Sequence, residues 1–111
     1  MVISSISEIN TLLETLGYPV AYRLFKSKQA PPFLVFYEDK ADNFFADSEV
    51  YQKSSIIIVE LYTDTKNPDL ENSVEALLQA WSKAESYIPD EELFLVSYEF
   101  SAEFTGDIVS A

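Results

Sequence analysis

Ile56-Ile57-Ile58-Val59-Glu60-Leu61-Tyr62-Thr63, then Asp64-Thr65-Lys66, then Asn67-Pro68-Asp69-Leu70-Glu71, reads as a strand running into a helix. Successive β-branched residues lose little rotamer freedom on a pleated surface, so residues 56–63 predict a strand. Asn67 offers the side-chain acceptor of an N-cap, and Pro68 fits the first helical position, where a missing N–H breaks no bond. Asp69 and Glu71 then lie against the positive end of the helix dipole. Beyond them Leu70, Val74, Leu77, Leu78 and Trp81 fall on one helical face, with Glu71, Glu75 and Gln79 off it. A helix starting at Pro68 and ending before Pro89 follows.

Working outward, Pro31-Pro32 leads in extended form into Phe33-Leu34-Val35-Phe36-Tyr37, a short run of β-formers that predicts a strand covered on both faces. Residues 20–25 predict another strand, and residues 26–32 the loop between them. Ser5-Ile6-Ser7-Glu8 has the form of a capping box, and Ile6, Ile9, Leu12, Leu13 and Leu16 recur at helical spacing up to Gly17, a C-terminal stop. On the C-terminal side, Phe94, Val96, Tyr98, Phe100, Ala102 and Phe104 alternate with Ser97, Glu99, Ser101 and Glu103, which predicts a half-buried antiparallel strand over residues 93–104. The expected fold is therefore α+β, in the order α-β-β-β-α-β: a single mixed, mostly antiparallel sheet with two helices on one face. It forms one domain over residues 1–104, with 105–111 as a flexible C-terminal tail.

A chain of 111 residues can bury roughly two-thirds of its unfolded surface. Hydrophobic residues at 48% against 23% charged place it among globular domains, so its acidity has to sit on a folded surface. Nineteen acidic against seven basic residues give a net charge of -12, which repels the phosphate backbone and disfavours direct nucleic-acid binding. The same field opposes self-association unless apolar contact, or cations set against neighbouring carboxylates, overcomes it. Apolar runs such as 33–37 and 56–59 fall far short of the roughly 18 residues of a membrane helix. Residues 1–5 lack the basic and long apolar parts of a secretory signal, so the expected location is cytoplasmic, with no membrane partner.

The absence of Cys removes disulfides and thiolate chemistry, and the absence of His removes the commonest general base and zinc ligand. The only glycines are Gly17 and Gly106, so no glycine-rich phosphate loop exists. Acidic neighbours such as Asp39 with Asp42, Asp64 with Asp69, and Asp90 with Glu91 and Glu92 lack calcium-loop spacing and read as a solvated surface. No enzyme, no catalytic residue, no cofactor and no metal is expected. The candidates are contact residues instead. Phe44 and Phe45 are adjacent aromatics, in a loop or short edge strand, that point to opposite faces, so one is free to anchor a neighbouring subunit. Tyr51 lies near them in sequence, and Arg23, Lys26 and Lys28 form a small basic island.

The pieces Pro19-Val20-Ala21-Tyr22-Arg23-Leu24-Phe25, Pro31-Pro32-Phe33 and Asn43-Phe44-Phe45-Ala46-Asp47, together with residues 59–71, resemble a known set of short proteins. They are similar to small tail-completion or tail-terminator proteins, which join head to tail in long-tailed phages and in prophages of Gram-positive bacteria. The resemblance spans residues 16–99, and its most telling piece is the strand-to-helix junction over 60–71. It implies a mixed sheet with flanking helices and a non-enzymatic structural protein of the virion tail or neck, assembled in the bacterial host cytoplasm. It further implies a homo-oligomer, a hexameric ring, whose partners are the tail tube protein and the head connector proteins. In such a ring the acidic surface would let DNA slide past without holding it. Two alternatives fit the same composition: a head-completion or neck protein, and a small acidic inhibitor that mimics DNA.

Overall fold

A computed structural model describes residues 1–41, 44–46 and 49–104, with only the backbone path described for 44–46 and 49–53. Among the described residues, seven strands and two helices follow one another as β1 (Val2–Ile3), α1 (Ile6–Glu14), β2 (Val20–Tyr22), β3 (Phe33–Ala41), β4 (Phe44–Ala46), β5 (Glu49–Thr63), α2 (Pro68–Leu78), β6 (Ser82–Ile88) and β7 (Leu93–Phe104). The sheet runs β1-β7-β5-β3-β2, with β6 beside β7 and β4 beside β5. The fold is α+β with a mixed sheet and two helices. The expected order α-β-β-β-α-β is corrected to β-α-β-β-β-β-α-β-β, and the expected mostly antiparallel sheet to a mixed one, with parallel pairs on both sides, β1 with β7 and β2 with β3.

At the centre lies β5, whose alternation sends Ile57, Val59 and Leu61 to one face and Ile58, Glu60 and Tyr62 to the other. Its register sets Val59 opposite Phe36 of β3 on one side and opposite Tyr98 of β7 on the other. The first face is the core. Leu34, Phe36, Val96, Tyr98, Phe100 and Ala102 join the β5 residues there, and Ile9 and Leu13 of α1 with Leu70, Val74 and Leu78 of α2 close over them. The alternation of β7 is as the sequence predicts: Val96, Tyr98, Phe100 and Ala102 are buried, while Glu99, Ser101 and Glu103 are exposed.

The helix ends have the expected chemistry with one shift. Asn67 accepts the Leu70 N–H at 3.1 Å and Pro68 opens α2. Gly17, at φ +88°, takes the chain out of α1. At the start of α1 the Glu8 carboxylate reaches back to the Ser4 N–H at 2.9 Å, while the Ser5 hydroxyl meets Ser7 and leaves the N-cap position without a side-chain bond. The capping box is thus half made.

Three strands, β1, β4 and β6, have no counterpart in the expected order. β1 is only two residues long, too short for any periodicity, and exists through non-local pairing: the Glu103 N–H bonds to the Met1 carbonyl, and Val2 and Ile3 lie beside Glu103 and Phe104. β6 is exposed along almost its whole length and carries no alternation, because it is an edge strand held by β7 from Ser82 opposite Glu99 to Ile88 opposite Leu93. Helix α2 stops at Leu78, where Gln79 turns to φ +69°. Trp81 is therefore off the helix, and its ring packs edge-on against Tyr98 at 5.6 Å. Strand β2 ends at Tyr22 and not at Phe25, whereas β3 and β5 run longer than predicted, to Ala41 and from Glu49. The predicted tail, residues 105–111, lies outside the described residues.

Candidate interaction surface

Among the described residues, the second face of the sheet carries no helix. Val35 and Ile58 are nonetheless buried there. Phe33 of β3 stacks on Tyr62 of β5, with ring centres 4.8 Å apart and planes 17° from parallel, and Phe25 meets Phe33 edge-on at 5.5 Å. Glu60 sits between two phenols: the Tyr62 hydroxyl donates to one carboxylate oxygen at 2.9 Å and the Tyr37 hydroxyl lies 3.5 Å from the other. Burial and then Glu60, by its charge at Tyr37 and by its hydrogen bond at Tyr62, push both phenols above their ordinary range, so at neutral pH they remain protonated donors.

Arg23 shapes the neighbouring loop. Its N–H bonds to the Phe36 carbonyl at 2.9 Å, finishing the β2–β3 ladder, and the next N–H, of Leu24, turns back to the Tyr22 carbonyl at 2.9 Å. This is a three-residue γ-turn centred on Arg23 at φ +68°, a conformation that costs a non-glycine residue of order 1–3 kcal/mol. The guanidinium lies over the rings of Tyr22 and Tyr37, 5.7 and 5.3 Å from their centres, and donates to the Glu38 carbonyl at 3.1 Å. The turn directs Leu24 outward, 71% exposed. The Pro31-Pro32 peptide at the end of the loop is cis.

Between this loop and the ends of β5 and β7 lies an open groove of about 600 Å³. Its floor is aromatic and apolar, from Phe25, Phe33, Tyr62 and Leu93. Arg23 and Lys28 stand on one wall, and Asp64, Glu91 and Glu92 on the other. Among the described residues, neither wall forms an ion pair, and neither does Lys26. The other ion pairs lie elsewhere: Lys83 bridges Glu71 and Glu75 at 2.8 Å each, and Lys66 reaches Glu71 at 2.7 Å and also Glu85. That network ties β6 to α2 and explains how Glu71, expected off the apolar face, is buried instead.

Of the predicted contact residues, Arg23, Lys26 and Lys28 fall together on the loop. Phe44 and Phe45 lie in β4, where Phe44 pairs with Gln52 and Phe45 with Val50 of β5, and Tyr51 lies in the same stretch of β5. Their side chains, and with them the expected outward anchor, lie outside the described residues. Sequence reasoning missed Leu24, the Glu60 pair of tyrosines and the groove floor. A signal existed for Glu60, the one charged residue in the run 56–63, on the β5 face opposite Ile57, Val59 and Leu61. Among the described residues no group of three or more His, Cys, Asp or Glu is placed to hold a metal ion, and no helix is long and apolar enough to cross a membrane. No protein-family model matches the chain, and no curated protein matches it.

Proposed function

We propose that this chain is a non-enzymatic structural protein of a phage or prophage tail, which completes the tail tube and joins it to the head connector as a hexameric ring. The observation that supports this most is the strand-to-helix junction, residues 60–71, where the sequence resemblance is most telling. Its polar side chains have architectural tasks: Glu60 receives two tyrosines, Asn67 caps α2, and Lys66 pairs with Glu71. Residues occupied in this way leave function to surfaces, and the uncovered sheet face with its charged groove is such a surface. A net charge of -12 suits a channel that DNA passes through without adhering.

The test is mass in solution by light scattering, from low to high salt, followed by addition of the chain to polymerising tail tube protein. A hexamer that shortens or caps the tubes supports the proposal. Binding to the head connector without any effect on tubes moves the chain to the neck side of the joint. A chain that stays monomeric, caps no tube and binds no connector removes the tail assignment altogether.

A further inference from the structure

The groove and the loop beside it form one self-complementary patch, and we infer that two copies of this chain pair through it. Each copy would seat Leu24 and its basic flank in the aromatic groove of the other. Three observations converge. Leu24 is the most exposed large apolar side chain among the described residues, and it is held there by a strained turn at Arg23, which the guanidinium over Tyr22 and Tyr37 and its bond to the Glu38 carbonyl keep in place. Leu24 itself stands at the edge of the groove that Phe25, Phe33 and Tyr62 also line. Finally, Lys26 and Lys28 make no ion pair within the described chain, and Asp64, Glu91 and Glu92 likewise have no cation partner there.

In a chain this acidic, cations with no ion pair among the described residues, gathered on a single loop, mark where negative charge is to be met. The acidic wall of a second copy supplies that charge. Because knob and slot belong to the same patch, the contact that satisfies both at once is isologous: the basic loop of each copy faces the acidic wall of the other. Pairing would take Leu24 out of water, cover the groove floor and cancel part of the repulsion between two strongly negative bodies. The pair is argued from these residues alone and does not rest on the tail assignment.

Equilibrium mass measurements on the full chain test this, comparing Leu24→Asp, Lys28→Glu and Glu92→Lys with the unmodified protein. Each substitution is expected to weaken pairing at least tenfold, whereas an equimolar mixture of the Lys28→Glu and Glu92→Lys chains restores it, since only the mixed pair has opposite charges at both contacts. Glu14→Lys, on exposed α1, has the same net charge as Glu92→Lys and leaves pairing unweakened. Circular dichroism checks that each variant keeps its fold. Three results overturn the inference: unmodified protein that shows no two-fold association up to about 1 mM, association that Leu24→Asp and Lys28→Glu leave unchanged, or a mixture no better than its components. Unchanged association places the contact elsewhere and leaves the tail assignment standing. Groove binding by an acidic peptide without self-association would replace the second copy with a foreign partner.

Discussion

The Tyr98 hydroxyl donates to a Glu75 carboxylate oxygen 2.8 Å away, joining the middle of β7 to the outer side of α2. Tyr98 is fully buried, and that burial, followed by its bond to Glu75, pushes its phenol far above the ordinary range. The same Glu75 receives Lys83 at 2.8 Å, so one carboxylate links the central sheet, the helix above it and the edge strand β6.

Tyr98→Phe keeps the ring and removes only the donor. A hydrogen bond to a charged acceptor is worth about 1.5–3 kcal/mol, and Glu75 would keep Lys83 and gain water, so the loss should lie near the lower figure. Urea unfolding should show a fall of about 1.5 kcal/mol with an unchanged m-value. An unaltered midpoint would mean that the bond contributes nothing to stability.

Lys83→Met tests the buried side of this network. The Glu71 side chain is only 4% exposed and holds two ammonium groups. Removing one leaves a buried carboxylate with Lys66 alone, which should cost about 2 kcal/mol, below the 3–5 kcal/mol of a fully broken buried pair. Because Lys83 also anchors the edge strand, amide exchange over Ser82–Ile88 should speed up more than exchange over β5. Equal acceleration in both strands would mean that β6 has no local anchor.

How much of this was legible in the sequence divides along physical lines. The strand over 56–63, the Asn67-Pro68 helix start, the Gly17 stop and the alternation of 93–104 are local signals, and the structure contains all four. β6 was not legible, because Ser82 to Ile88 alternates nothing and becomes a strand only through β7 and the ion pairs of Lys83 and Glu85. Glu71 was misplaced for a related reason. Helical periodicity assigns a carboxylate to water, and only the three-dimensional arrival of Lys66 and Lys83 makes its burial tolerable. The basic island was visible as residues, but its position across from Asp64, Glu91 and Glu92 depends on the return of β7 to the sheet.

Acid should weaken the fold through this same network. Burial alone raises the Glu71 carboxyl, yet the hydrogen bonds and charges of Lys66 and Lys83 outweigh it and hold the group below its ordinary 4.5. Glu75 is lowered too, chiefly by its bond from Lys83. A depressed folded-state pKa gives stability that is complete above the unfolded value and lost as pH falls through the folded one, so the loss begins below about 4.5. The lysines are raised, so their contribution fades only above their ordinary 10.5. Unfolding free energy measured between pH 3 and 7 should therefore fall less steeply with acid in Glu71→Gln than in the unmodified chain. Parallel pH profiles would sever the link.

Gly17 separates backbone strain from lack of room. A methyl group added there meets nothing within 4 Å, so crowding predicts no penalty for Gly17→Ala. The φ of +88° predicts the opposite, because a Cβ in the left-handed region costs about 1 kcal/mol through its own backbone. Asparagine is larger than alanine but tolerates this region better, since its short amide can bond to the local backbone. Thermal unfolding should therefore rank Gly17 first, Gly17→Asn second and Gly17→Ala last, the reverse of the size order for the two replacements. If Gly17→Asn is the less stable of the two, bulk at the end of α1 governs the site and the conformational explanation of this helix stop is wrong.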